Sequence, residues 1–310
     1  MYRSMLLLGI ASALAIGLGG CSVSRFAVDK VGDALSGGGS AYASDGDPEL
    51  VAAALPFSLK LVESLLEKSP EHRGLLTTAA SGFTQYAYAF VQLPAERLEA
   101  VDLERAWSEK ARARLLFLRA RDYGLRGLET RHQDLARRVA ANPSQAVSGT
   151  DLADVELLYW TAAAWGAALG LAKDDPTLVG DLPRIQALAD RALFLDPSFG
   201  DGSLHAFMIT WEMIRTDREG DAASRATAHF ERAVDLSGGL AAGPYVTYAE
   251  SVCRPLEDRD CFRGALEAAL AIDPEDQPAW RLANVLMQRR ARWLLEHIDA
   301  LILPPLDPEA

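Results

Sequence analysis

Apolar residues recur along this chain mostly at helical spacing, with hardly a β-branched alternating run to suggest a strand. After an apolar run at Met5–Leu18, large apolar groups are sparse through residues 22–46, which include Ser36-Gly-Gly-Gly-Ser40. Asp47-Pro48-Glu49 then combines a cap residue, a proline at the first helical position and an acid in the first turn, so a helix is expected to open there. Its stripe is Leu55, Leu59, Val62 and Leu66, ended by Ser69-Pro70. A second helix carries Phe83, Tyr86 and Phe90 before Leu93-Pro94. A third, about 95–122, alternates acids and bases around Leu98, Trp107, Leu115, Leu116 and Leu118. Leu152, Val155, Tyr159, Ala163 and Gly166 mark an alanine-rich helix that ends near Lys173-Asp-Asp-Pro176. The last helix is expected over Gln277–Ile302, with Trp280, Met287, Leu294, Ile298 and Leu301, and the Pro-rich tail does not continue it. The predicted fold class is all-α.

A phrase recurs among these helices. Arg191-Ala-Leu-Phe-Leu-Asp-Pro197, Arg232-Ala-Val-Asp-Leu-Ser-Gly238 and Ala268-Ala-Leu-Ala-Ile-Asp-Pro274 follow one another at intervals of 41 and 36 residues. Ala226, Phe230 and Ala233 fit the second helix of a tetratricopeptide repeat, with Gly238 where that pattern has proline. Helix pairs of this kind bury their faces by stacking, which predicts a compact α-solenoid or bundle. An independent helical bundle with coincidental Asp-Pro breaks is the alternative.

The N-terminus sets the address. Residues 1–20 hold one charge, Arg3, then a short apolar run, and end in Leu18-Gly19-Gly20-Cys21. This is the pattern of a secretory signal, too short to cross a membrane comfortably, ending in a lipobox-like sequence. Residues 1–20 are therefore expected to be a cleaved lipoprotein signal peptide and Cys21 the lipidated residue, since two or more acyl chains anchor stably. The expected layout is a tether over 21–46, an all-α domain over 47–303 and a tail over 304–310. Ser22, rather than Asp, after the cysteine points in a Gram-negative cell to the outer membrane, facing the periplasm.

Composition narrows the chemistry. Without residues 1–20, 30 Lys and Arg remain against 43 Asp and Glu, a net charge of −13. That balance argues against nucleic acid and against electrostatic adhesion to anionic lipid. Hydrophobic residues make up 49% of the chain, and with no second long apolar run they imply a globular body. Cys253 and Cys261 frame a seven-residue loop. In an oxidising compartment they form either a disulfide, if their Cα atoms come within ~7 Å, or two separate buried thiols.

No catalytic motif stands out. His72, His132, His205, His229 and His297 form no zinc-type pair, and no P-loop or Gly-x-Ser-x-Gly is present. Gly200-Asp-Gly-Ser-Leu-His205 lacks the third glycine of a dinucleotide loop and follows a helix. The expectation is a non-enzyme without metal or cofactor. Two segments are richer in rings: Ser81–Gln92, with Phe83, Tyr86, Tyr88 and Phe90, and Tyr159–Gly166, with Tyr159, Trp160 and Trp165. Small residues between the rings allow two readings, dense core packing or an apolar cavity with Gln85, Gln92 or Lys173 as polar groups at its edge. The ligand-lining set expected on the second reading is Phe83, Gln85, Tyr86, Phe90, Tyr159, Trp160, Trp165 and Lys173.

These same segments carry a family resemblance. Asp45-Gly-Asp-Pro-Glu-Leu, Ala54-Leu-Pro-Phe and Ser81-Gly-Phe-Thr-Gln-Tyr-Ala-Tyr-Ala-Phe-Val-Gln92 resemble the T-component of tripartite ATP-independent periplasmic (TRAP) transporters. So do Tyr159-Trp160, Ala163-Ala-Trp-Gly-Ala-Ala168, Lys173-Asp-Asp-Pro176 and Asp201-Gly-Ser-Leu-His205. The likeness continues through Ala228–Ser237, Gly243-Pro-Tyr-Val246 and Arg289-Arg-Ala-Arg-Trp-Leu-Leu295, covering nearly all of the chain past the tether. It implies an all-α lipoprotein with cryptic tetratricopeptide repeats, often a homotrimer with a tunnel through each protomer, and a periplasmic solute-binding protein as partner. Gly238 and the pair Cys253 and Cys261 depart from the pattern. The expected function is a non-catalytic accessory that holds or passes an apolar or amphiphilic organic acid; the alternative is an interaction scaffold with no ligand of its own.

Overall fold

Short acidic and amide side chains punctuate the chain. Asp47, Asp102, Asn142, Asp151, Asp175, Asp221 and Asp258 each accept a backbone N–H from the first turn of the helix they precede. Each satisfies a donor that the helix itself leaves orphaned. The computed structural model describes Lys30 and residues 40–303, and among the described residues the regular structure is helical throughout. The expected signal peptide, Cys21, the first part of the expected tether and the tail from residue 304 lie outside the described residues.

In chain order the helices are α1 (Ser40–Ala43), α2 (Pro48–Lys68), α3 (Arg73–Tyr86), α4 (Leu93–Leu98) and α5 (Leu103–Glu129). After them come α6 (Leu135–Ala141), α7 (Pro143–Val147), α8 (Val155–Gly170), α9 (Pro176–Val179), α10 (Leu182–Leu195) and α11 (Phe199–Glu212). The last are α12 (Ala222–Leu236), α13 (Ala242–Tyr248), α14 (Arg259–Ala271), α15 (Arg281–Glu296) and α16 (Ile298–Leu301). Two π-helical turns join neighbours, Ala87–Gln92 between α3 and α4 and Ala249–Cys253 after α13. Residues 40–46, placed in the tether on sequence grounds, include α1, which packs on α15. Arg281 Nη1 donates to the Ser44 carbonyl (2.8 Å), and the Tyr42 and Ser58 hydroxyls share a hydrogen bond of 2.5 Å.

Several boundaries differ from the periodicity. The second helix runs through Leu93-Pro94 because the π turn re-registers the backbone, the Leu93 N–H bonding to the Tyr88 carbonyl. A proline without an N–H is tolerated where the bonding pattern shifts. The third helix begins at Leu103 rather than near 95, because Asp102 caps a new start. Its expected stripe is also displaced: Trp107 and Leu115 are exposed, and the buried face is Ala106, Ala113, Phe117, Ala120, Gly124, Gly127 and Leu128. Small residues there let α8 approach closely. The last helix is broken at His297 and preceded by a 3₁₀ turn at Pro278–Trp280. The three recurring phrases each close a helix, at the ends of α10, α12 and α14.

The core forms along α5, α8, α10 and α11, with Leu128, Leu157, Leu158, Ile185, Leu188 and Leu204 fully buried. A second cluster gathers Val246, Phe262, Leu266 and Leu294 around Cys253. Cys253 and Cys261 form a disulfide with Cα atoms 5.5 Å apart, which selects between the two readings of that pair. Two charged knots fix the ends of the central helices. Asp154, before α8, has no exposed side-chain surface and accepts from Arg73 (2.7 Å), Arg131 (3.0 Å), His132 (2.8 Å) and the Asp151 N–H (3.0 Å). Arg215, after α11, has a side chain 1% exposed and pairs with Asp190, Glu212 and Asp217. A buried charge left without its partner costs several kcal/mol, so both knots are strong positional constraints.

The α11–α12 contact holds a third titratable pair. The Nδ1 atoms of His205 and His229 are 2.8 Å apart, so one carries the proton and the other accepts it. Burial, then the neighbouring His229 and Arg232, push His205 down to about 4. The unfolded chain, with a histidine near 6.5, takes up the proton first. Stability is therefore expected to be intact above about pH 6.5 and to decline as pH falls toward 4. Urea titrations across that range should show the decline, with a shallower slope in His205→Asn.

A glycine pair tests the close approach of α5 and α8. A Cβ on Gly124 would lie 2.1 Å from Thr161 Oγ1 and 3.3 Å from its Cα, whereas one on Gly264 meets nothing within 4 Å. Thermal unfolding should show Gly124→Ala destabilised by about 1–3 kcal/mol. Gly264→Ala, in mid-helix, should gain about 0.5–1 kcal/mol.

Candidate functional site

Helix α8 has two unlike faces. Leu157, Leu158, Thr161, Ala162, Ala164 and Trp165 are buried. Tyr159, Ala163, Gly166, Ala167 and Gly170 instead border a cavity of about 1010 Å³. Apart from Tyr159 these side chains are small and leave space beside the helix, which narrows at Gly166, where a Cβ would lie 3.3 Å from Phe207. That volume is at the top of the ~300–1,000 Å³ range of small-molecule sites.

The facing walls come from distant parts of the chain. The start of α11 supplies Gly200, Asp201, Gly202 and Ser203, followed by Phe207, Thr210 and Trp211. Gly200, Asp201 and Gly202 all have left-handed backbone, with φ of 59°, 52° and 101°. A Cβ on Gly202 would meet the Ala233 carbonyl oxygen at 2.9 Å, so glycine is required there. This is the segment whose glycines failed as a dinucleotide loop; they serve instead to turn the chain at the cavity wall. α13 and its π turn contribute Gly243, Pro244, Thr247, Glu250 and Ser251, and α15 contributes Asn284, Met287, Arg290 and Trp293. Asn284 holds these two elements together, its Oδ1 accepting from the Ala242 N–H (2.9 Å) and its Nδ2 donating to the Leu240 carbonyl (2.9 Å).

Of the residues singled out in the sequence, Tyr159 and Lys173 line this cavity, Lys173 as an exposed residue. Gln92, the other polar residue considered, lines it too. Phe83, Gln85, Tyr86, Phe90, Trp160 and Trp165 lie outside it. Phe83 is packed among Leu59, Val62, Leu75 and Leu76, and stacks on Tyr123 with ring centroids 5.9 Å apart. Gln85 is exposed and donates to the Ser81 carbonyl (3.3 Å), while the Tyr86 hydroxyl accepts from Arg112 (3.3 Å) and its ring sits 6.1 Å from Phe90. Trp160 leans on Tyr159 at 4.8 Å. Trp165 donates from Nε1 to Asp181 (2.9 Å), under the Arg121 guanidinium.

One stretch of the wall is charged and buried, and sequence spacing did not reveal it. Arg290 Nη2 lies 2.6 Å from Glu96 Oε2 and 2.5 Å from Glu250 Oε1, and its guanidinium sits 4.7 Å from the Trp293 ring centroid. Gln92 Nε2 donates to the other Glu96 oxygen, Oε1, at 2.9 Å. Burial raises the Glu250 carboxyl above its usual range, against the pull of Arg290. Burial also raises the Tyr88 phenol, which the charges of Glu250 and Glu96 reinforce. Tyr88, Gln92 and Glu250 all sit on the two π turns. Such insertions often occur at functional sites because one extra residue per turn redirects side chains. A signal was present in Ala87–Gln92, but π geometry cannot be read from 3.6-residue periodicity.

A protein of Treponema pallidum (strain Nichols), described only as uncharacterized, is 32% identical over 302 residues, spanning 92% of this chain and 94% of that one. Residues 44–302 match the family described as TRAP transporter T-component, which takes in every cavity wall described above. The chain belongs to that family, and so is an envelope-located accessory component of a TRAP transport system.

Proposed function

We propose that this T-component receives an amphiphilic organic acid in its cavity and exchanges it with the solute-binding protein of the same transporter. The observation that carries this reading is the cavity itself, with its small-residue face on α8 and rings at Tyr159, Phe207, Trp211 and Trp293. Burying apolar groups on such a wall contributes about 25 cal/mol per Å², enough to retain an alkyl or ring-bearing solute without many polar contacts. Lipid attachment at Cys21 keeps the body near a membrane, and the reading places it at the outer membrane facing the periplasm. A homotrimer with one cavity per protomer, built on tetratricopeptide-like helix pairs, is the assembly this reading adopts.

A second reading, a scaffold that binds the partner and carries no solute, draws support from the uncovered apolar residues Phe57 and Trp107, 74% and 64% exposed. The two are separated by plugging the cavity. Gly170 and Gly243 both border it, and a Cβ at either meets nothing within 4 Å, so Gly170→Trp and Gly243→Trp should fold normally. Native mass spectrometry of protein purified from cells is expected to show a co-purifying acid or lipid in the wild type. That species should be lost at least tenfold in the plugged variants, while capture of the solute-binding protein persists. A wild type that is always empty, with undiminished partner capture, supports the scaffold and overturns the carrier.

A further inference from the structure

The Arg290 cluster is left incomplete in a specific way. Arg290 Nη1 is a buried donor without a hydrogen-bond acceptor, and Gln92 Oε1 is a buried acceptor without a donor. Both residues border the cavity, and both are tied to the same carboxylate, Arg290 through Glu96 Oε2 and Gln92 through Glu96 Oε1. An unmet buried polar group costs about 1–3 kcal/mol, so these two, joined through one carboxylate, form a built preference for a complementary group; a third, Trp211 Nε1, belongs to the α11 wall of the same cavity. Resting on the carrier reading above, we infer that this wall binds the neutral, protonated carboxyl group of an amphiphilic acid. Its C=O accepts from Arg290 Nη1 and its O–H donates to Gln92 Oε1.

Charge and hydrogen-bond inventory both select the protonated head. An ionised carboxylate offers only acceptors, and so would leave Gln92 Oε1 unmet. It would also add a negative charge beside Glu96 and Glu250, the two carboxylates that Arg290 contacts. The other titratable groups acting on this spot are Tyr88, from the first π turn, Arg97, from α4, and Arg254, beyond the second π turn. Burial holds Tyr88 as a neutral hydroxyl and raises Glu250, and the same loss of water disfavours an ionised head, against the pull of Arg97 and Arg254. Neither orphan atom is reached by solvent in this conformation. The head group therefore enters as the half-buried Gln92 side chain, held by its one bond to Glu96, swings aside. At neutral pH the acid arrives ionised, so each molecule bound takes one proton from solvent.

Three probes with the same ten-carbon acyl chain test this by isothermal titration calorimetry on the full-length wild type: decanoic acid, decanamide and methyl decanoate. The amide offers one acceptor and a donor at every pH, whereas the ester offers acceptors only. Decanoic acid is expected to take up about one proton, read from buffers of different ionisation enthalpy. Its affinity should fall about tenfold per pH unit above the acid's own pKa. Decanamide affinity should not change with pH, and the ester should bind at least tenfold more weakly than the amide. Gln92→Leu should weaken acid and amide alike while leaving the ester unchanged, a readout that does not require disturbing Arg290. Binding of decanoate without proton uptake, or an ester as tight as the amide, overturns the head-group assignment while leaving the carrier reading standing. Failure of all three probes to bind overturns both.

Discussion

How closely α5 and α8 can approach is the constraint from which the rest of this structure follows. Gly124 lies against Thr161 and Gly127 against Leu157 at separations where even a methyl group would not fit. With the helices so close, α8 buries one face fully, and its opposite face must meet the remainder of the molecule. That opposite face is also small, at Ala163, Gly166 and Ala167, and it borders the cavity, with Phe207 closing on it at Gly166. One kind of residue thus does two things: it closes the core on one side of a helix and leaves open space on the other. The difference is set by what packs there, since interiors fill to crystal-like density wherever neighbours can reach.

Held in this way, α8 and its partners need ends that do not drift. Asp154 and Arg215 supply that constraint, because a charge removed from water tolerates little displacement from its partners. Both knots are satisfied by several groups at once. The third buried charge, Arg290, has two carboxylates on one nitrogen and nothing on Nη1. Among these three charged knots, the one with hydrogen-bonding capacity to spare borders the cavity. A transport component needs a site that binds without holding too firmly, and a pair of head-group hydrogen bonds beside an apolar wall suits that need better than a closed ring of ion pairs.

The two π turns explain how a regular helical frame offers such a site. An added residue in each turn swings Tyr88, Gln92 and Glu250 toward the cavity, while Phe83 on the same continuous helix stays in the core. The strained turn at Gly200–Gly202 does the same for the start of α11. Irregular backbone is thus concentrated where the solute would sit, and the load-carrying contacts elsewhere are ordinary helix packing.

Helical class, the Asp47 cap, the end of α2 at Ser69 and the alanine-rich α8 were legible because they depend on local chemistry: side-chain spacing, cap hydrogen bonds and proline geometry. Family membership was legible from long motifs for the same reason. The sequence alone also supplied the small-residue face at Ala163 and Gly166, though not which partner it would face. What tertiary structure alone decided is which ring-rich stripe became wall and which became core. Phe83, Tyr86 and Trp165 look like cavity residues by composition, yet their neighbours from α2 and α5 and the Asp181 carboxylate enclose them. Glu96, Glu250 and Arg290 stand 154 and 40 residues apart in sequence, so no local pattern could announce their meeting. Whether a buried group is complete depends on every atom around it, and that is a property of packing.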